Sequence, residues 1–291
     1  MIVEILIFGT VQGALLALLA LGFSLVYGVG GILNLAHGAF FLITAYFIFW
    51  LLPVFGFIDN YIFRFILSAT ISLFAVILIA AATYFGLMKP LQESHIGIVL
   101  VTFALAFFFE QFVRFVGDPK YHYIIPPVRG TIRYQDVPFP AQFIALLIGS
   151  FILVVVITLF INYTTLGKSI RAVSQDFEAA QLVGINTDMI LMTSVIISAI
   201  LSGFGAILYA PGNFIAPHIG WGYLLLAFSV TIFGGMGSIP GSILGAFIMG
   251  YAVTLTDYLI DPQFSEIIPL VVILVMLLIR PQGLLGKKEL T

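Results

Sequence analysis

The chain has 291 residues, 62% of them hydrophobic and 8% charged, with a net charge of −2 and a mean hydropathy of +1.19. A soluble domain carries roughly 25% charged residues, so this composition excludes a water-soluble fold and predicts an integral membrane protein. The small negative charge offers no basic surface for nucleic acid, and zero cysteines exclude disulfides, thiolate catalysis and cysteine-held metals.

The N-terminus, Met1-Ile-Val-Glu4, has no basic segment and leads into an apolar stretch too long for a cleaved signal, so a retained first span is expected. Apolar runs near the spanning length of about 20 residues cover 5–27, 40–57, 63–88, 96–116, 141–161 and 189–210. Further on, 221–233 is short, 239–251 is interrupted by glycines and 267–279 is again apolar. The expected architecture is one all-α, polytopic domain over 1–291 with eight or nine membrane-spanning or re-entrant helices. Lysine and arginine in short loops favour the cytoplasm. Lys89, Lys168 with Arg171, and Arg280 with Lys287 and Lys288 therefore share one side, with the N-terminus outside and the C-terminus inside. Lys120, Arg129 and Arg133 count against that bias, and the Pro-rich stretch 124–140 reads as an external turn or hairpin.

Two segments look related. Phe23-Ser-Leu-Val-Tyr-Gly28-Val-Gly30-Gly31 passes through Asn34 to His37-Gly38 and a new apolar run. Phe228-Ser-Val-Thr-Ile-Phe-Gly234-Gly235-Met-Gly237-Ser238 passes to Pro240-Gly241 and another. Non-helical backbone at membrane depth is tolerated where it is buried in protein or lines a wet cavity. Paired interrupted segments point to a transporter's binding site. Asn34, His37, Gly38, Gly234, Gly235, Gly237 and Ser238 are thus expected along a translocation path, the alternative being close helix packing at small residues.

Residues 167–186 form a charged, helix-compatible island between two apolar runs. Ile170, Val173, Phe177 and Ala180 fall on one stripe, while Lys168, Arg171, Gln175, Glu178 and Gln181 are polar. Ser174 or Asp176 suits the N-cap of a second short helix, and Gly184 its left-handed end. The mixed charge favours a protein partner over a helix lying on the bilayer, which is usually strongly basic. The run Asn162-Tyr-Thr-Thr-Leu-Gly167-Lys168-Ser169 lacks the first glycine and the preceding strand of a phosphate-binding loop, so any ATPase must be a separate chain.

Glu110 is an ionisable group inside a span, a functional candidate by default. Arg114 stands four residues later, the spacing of a helix ion pair, and a structural pair is the expectation. His95, His122 and His218 show no ligand spacing, and Asp257, Asp261 and Glu266 read as a solvated rim.

The chain resembles the permease subunits of branched-chain (hydrophobic) amino-acid ABC importers, the LivH type, whose close relatives carry urea and short amides. Three blocks in order carry the resemblance: residues 20–38 through Asn34-Leu-Ala-His37-Gly38, the 167–186 island, and Phe233-Gly-Gly-Met-Gly-Ser-Ile-Pro-Gly241 followed by Gly245. It departs from the family pattern at Ala39, Leu166 and Leu226, where a glutamate, an arginine and a lysine are common. The resemblance implies that residues 162–188 are the cytoplasmic coupling loop. Within it Gly167, Lys168, Arg171, Glu178-Ala179-Ala180, Gly184 and Asn186 engage the ATPases. It also implies a second permease subunit, identical or paralogous, two ABC ATPases that bind the ATP, and an extracytoplasmic substrate-binding protein. No cofactor on this chain and no enzymatic activity of its own are expected.

Overall fold

A computed structural model describes residues 1–117, 119–265 and 267–286. It is built from helices α1 (Ile2–Gly30), α2 (His37–Val54), α3 (Tyr61–Thr83), α4 (His95–Gly117) and α5 (Gln142–Tyr163). Then follow the short α6 (Thr165–Val173) and α7 (Phe177–Leu182), the long α8 (Thr187–Tyr209), α9 (Ile219–Gly234) and α10 (Ile239–Leu259), and finally α11 (Pro262–Ser265) and α12 (Ile268–Ile279). Helix α3 runs on through a π turn, Tyr84–Met88, and a 3-10 turn, Lys89–Leu91. Eight segments of the described residues are long and apolar enough to cross a bilayer. The ninth apolar helix, α9, has 16 residues, or about 24 Å at 1.5 Å per residue, short of a hydrocarbon core about 30 Å thick. The all-α, polytopic expectation is thereby met.

Local chemistry sets several boundaries. Side chains of Asn60, Thr164, Asp176, Asn186 and Ser238 each accept a bond from the backbone N–H three residues on, capping α3, α6, α7, α8 and α10. An oxygen at that position satisfies one of the otherwise orphaned first-turn donors. Inside the spans, Thr44, Ser72 and Ser194 donate to carbonyls four residues back, so these hydroxyls find partners without water.

Helix α1 is apolar on every side, as a helix surrounded by protein must be. Leu15, Leu16, Leu18 and Leu19 are at most 1% exposed. It packs most extensively on α10 and α8. A Cβ at Gly250 would lie 2.5 Å from the Gly13 nitrogen, so α1 and α10 approach backbone to backbone, as small residues permit in membranes. Helices α3, α4, α5 and α12 lie outside this centre and turn Phe74, Phe107, Phe108, Phe151 and Leu278 outward.

The polar ends sort into two groups. Strand β1 (His122–Tyr123) pairs antiparallel with β4 (Phe214–Ile215), which ties the α4–α5 and α8–α9 connections together. Between them in sequence, β2 (Thr131–Tyr134) and β3 (Val137–Pro140) form the expected hairpin, closed at Gln135 and Asp136 with φ 47° and 65°, the left-handed pair that a two-residue hairpin turn demands. At the opposite end, Gly30 packs on Leu191 and Gly28 on Gly237, Lys89 meets Asp188, and Gly235 meets Gly286. Lys89, Lys168, Arg171 and Arg280 therefore gather at one end, as the cytoplasmic reading requires; Lys287 and Lys288 lie outside the described residues.

Candidate functional site

The first predicted break is real backbone irregularity. Helix α1 closes on Gly31 in the left-handed conformation, φ 63°. Residues 32–34 are non-helical, and α2 restarts at His37 after a turn. Asn34 is 2% exposed and its side-chain oxygen accepts from the Ala36 N–H at 3.1 Å. The Leu35 N–H donates to Thr102 Oγ1 at 3.2 Å, which ties the break to α4.

His37 is buried where α1, α2 and α8 cross. Its Nδ1 lies 2.8 Å from Ser198 Oγ, and its carbonyl accepts from Ser202 Oγ at 2.9 Å. Nε2 is buried without a hydrogen-bond partner among the described residues. A Cβ at Gly22 would lie 2.9 Å from the His37 ring, so α1 presents a glycine where the imidazole needs room. Gly38 meets Gly220 backbone to backbone: a Cβ on Gly38 would overlap the Gly220 carbonyl oxygen and reach 2.8 Å from Leu224 Cβ. The starts of α2 and α9 thus meet within the protein, over a narrow cleft bordered by Leu35, Leu42 and Glu110.

Glu110, 7% exposed, makes the ion pair expected from its spacing. Oε1 accepts from Arg114 Nη2 at 2.6 Å and Nε at 3.1 Å. Oε2 accepts from Trp221 Nε1 at 2.5 Å, a bond that fastens the first turn of α9 to α4. Sequence reasoning found Arg114 but not Trp221, since nothing local links residues 111 positions apart.

The second break, 235–238, meets the first. Gly237 has φ 79°, and a Cβ there would lie 3.1 Å from Gly28 Cα. Ser238 caps α10 through the Gly241 N–H at 3.2 Å. Gly235 adopts φ 106° and ψ 118°, a region for glycine, and packs on the backbone of Gly286. The C-terminal segment is held there by Leu284 N–H to the Phe233 carbonyl (2.8 Å) and Leu285 N–H to the Gly234 carbonyl (2.9 Å). Gly234, Gly235 and Gly237 thus all lie in close backbone contact.

The charged island folds into α6 and α7. Thr164 caps α6, Gly167 packs against the carbonyls of Phe160 and Ile161, and Arg171 donates to the Ile161 carbonyl. Of the two capping candidates, Asp176 caps α7, through the Ala179 N–H at 2.8 Å; Ser174 instead donates to the Arg171 carbonyl. Gly184 takes φ 86° past the end of α7, and Asn186 opens α8. Ile170, Val173 and Ala180 are buried, but Phe177 is 38% exposed. The stripe loses register there because the helix breaks at 174–176 and restarts on its new cap. Lys168, Glu178 and Ala179 are exposed, and beside them stand Leu182 and Val183, 88% and 77% exposed. Those two apolar residues carried no signal in the helical pattern.

Among the described residues no group of three or more His, Asp or Glu could hold a metal. His122 Nε2 lies 2.7 Å from the Gly117 carbonyl, Asp261 accepts from the Gln263 N–H, and Glu266 lies outside the described residues.

Eight bilayer-length helices around a buried, doubly interrupted centre define a multi-pass membrane protein of the transporter type. Residues 5–277 match the family described as the permease component of branched-chain amino acid transport systems, and the chain belongs to that family. It is 26% identical to the high-affinity branched-chain amino acid transport system permease protein LivH of Salmonella typhimurium over 309 residues, covering 97% of this chain and 94% of that one. It is 27% identical to BraD of Pseudomonas aeruginosa, a permease protein of the same description, with coverage of 98% and 95%. A probable LivH of Methanocaldococcus jannaschii is 25% identical, with coverage of 94% and 89%. No solved structure matches.

Proposed function

We propose that this chain is the membrane-spanning subunit of an inner-membrane ABC importer for branched-chain or other hydrophobic amino acids. It supplies the translocation path and couples it to ATPases on separate chains. The observation that carries the coupling role is the ordered α6–α7 loop. Its buried stripe of Ile170, Val173 and Ala180 seats it on the membrane helices, while Lys168, Glu178, Leu182 and Val183 stay exposed at the end where Lys89 and Arg280 also lie. An apolar anchor beside charged groups is the composition of a protein-docking surface. The substrate class rests on the printed function of the relatives. By the same reading the working assembly contains a second permease subunit, identical or paralogous, two ATPases that bind the ATP, and an external substrate-binding protein. The seven residues of the two breaks border the path as it opens between the permease halves.

The test is uptake of labelled leucine by cells expressing the whole transport system. Glu178→Lys reverses the charge on the docking face, and Gly184→Val blocks the left-handed turn after α7. Both variants should insert normally and lose ATP-dependent uptake. Wild-type uptake by both would refute the docking role.

A further inference from the structure

At the end of the coupling loop, Asp188 in the first turn of α8 gathers three donors from the turn between α3 and α4. Its Oδ1 accepts from Tyr84 Oη at 2.5 Å and from Gln92 Nε2 at 3.0 Å, and its Oδ2 accepts from Lys89 Nζ at 2.7 Å. Gln92 Nε2 also reaches Tyr84 Oη at 2.8 Å, and Tyr84 Oη lies 2.9 Å from the Asp188 carbonyl. One carboxylate thus closes a polar ring across about a hundred residues of chain.

Two further features give the ring a mechanical setting. Tyr84 opens the π turn Tyr84–Met88, and such a turn inside a helix is a common mark of a functional or hinge position. On the other side, Gln181 Nε2 of α7 donates to Thr187 Oγ1 at 2.9 Å, which joins the coupling loop to the residue before Asp188. The buried side chains behind both are continuous: Ile170, Val173 and Ala180 of the loop share one apolar cluster with Tyr84, Met88, Ile98 and Ile190. A path of bonded groups therefore runs from α7 through Thr187 and Asp188 to the ends of α3 and α4. These helices are among the less buried spans of the chain, with 33% and 28% of their apolar windows buried within it, so less packing inside this chain opposes their movement.

We propose that Asp188 is a positioning residue of the transport cycle: its ring with Tyr84, Lys89 and Gln92 makes the α3–α4 turn move with the coupling loop when the ATPases close. The proposal rests on the loop being the ATPase contact. Asp188 touches neither substrate nor nucleotide; it transmits displacement.

The experiment uses the complete importer in proteoliposomes with its binding protein, and reads ATP hydrolysed per leucine transported. Asp188→Ala should leave ATP hydrolysis running and raise that ratio by about tenfold, within the range measured for coupling between sites. Tyr84→Phe, which removes a single hydroxyl, should raise it less, and Asp188→Glu should restore much of the coupling. Because the natural chain has no cysteine, Gln175→Cys and Gly86→Cys can be spin-labelled cleanly at two exposed positions. The label separation should stay constant on ATP binding in this otherwise wild-type pair and change once Asp188→Ala is added. A wild-type ratio in both Asp188→Ala and Tyr84→Phe overturns the proposal. So does a parallel fall of hydrolysis and uptake with the ratio unchanged, the sign of a merely stabilising contact. Failure of the docking reading shows separately, as an unsubstituted chain that recruits no ATPase.

Discussion

Replacing Gly235 by alanine tests the account of the second break most directly. At φ 106° and ψ 118° a β-carbon is strained, which costs about 1–3 kcal/mol. The new carbon would also overlap the Gly286 nitrogen and lie 2.7 Å from Gly286 Cα, with Gln282 O at 3.0 Å. Ordinary contact needs 3.4–4 Å, so the C-terminal segment must withdraw by roughly 1 Å, enough to forfeit much of the dispersion gained there. That withdrawal stretches the Leu284 and Leu285 bonds to α9, each worth about 0.5–1.5 kcal/mol. Together the loss is about 2–6 kcal/mol, or roughly 3–10 °C in melting midpoint for a chain of this size. The assay is thermal unfolding in detergent, with amide hydrogen exchange at Leu284 and Leu285, where protection should fall. Gly222→Ala is the control. That glycine is helical and exposed, with nothing within 4 Å of a new Cβ, so alanine should be neutral or stabilise by about 0.4–1 kcal/mol. Unchanged melting and unchanged exchange in Gly235→Ala would refute the packing account. Lost uptake in such an otherwise unperturbed protein would leave the translocation path as the sole role of Gly235.

Two further perturbations probe the helix interfaces. Glu110→Leu removes the acceptor of the Trp221 indole and the partner of Arg114. The Arg114 side chain is 43% exposed and can reach water, so its share is small, and the stranded indole dominates a loss of about 1–3 kcal/mol. In a Trp50→Phe background Trp221 is the sole tryptophan, and its emission should shift; an unmoved spectrum with wild-type stability would contradict the tether. Gly250→Leu drives a side chain into Gly13 and Gly9 and should cost at least the roughly 1–3 kcal/mol typical of overpacking. Wild-type melting of that variant would show that α1 and α10 do not meet as closely as described.

Much of the coupling loop could be read locally. Thr164, Asp176, Gly184 and Asn186 act within three or four residues of themselves, and those short-range bonds are what cap and turn preferences encode. The exposure of Phe177 was missed because a stripe drawn through 170–180 assumes one unbroken helix, whereas the new cap at Asp176 resets the phase. In the broken helices the division is similar. The glycine runs announce irregular backbone, but nothing near Gly235 in sequence says that residues 283–286 will cover it.

Composition and periodicity determined by themselves that this is an all-α membrane protein, where its long spans lie, that Glu110 pairs with Arg114, and that a structured polar loop separates two of its helices. Those properties follow from the solvent each residue tolerates and from neighbours one helical turn away. Only the tertiary structure decided that His37 rests on Ser198, that Glu110 holds Trp221, that Gly28 meets Gly237, and that Asp188 ties the coupling loop to the α3–α4 turn. Each of these joins residues about a hundred or more positions apart. Such contacts are fixed by which helices pack together and at what depth, a choice that the lipid-like uniformity of the apolar side chains leaves unmarked in the sequence.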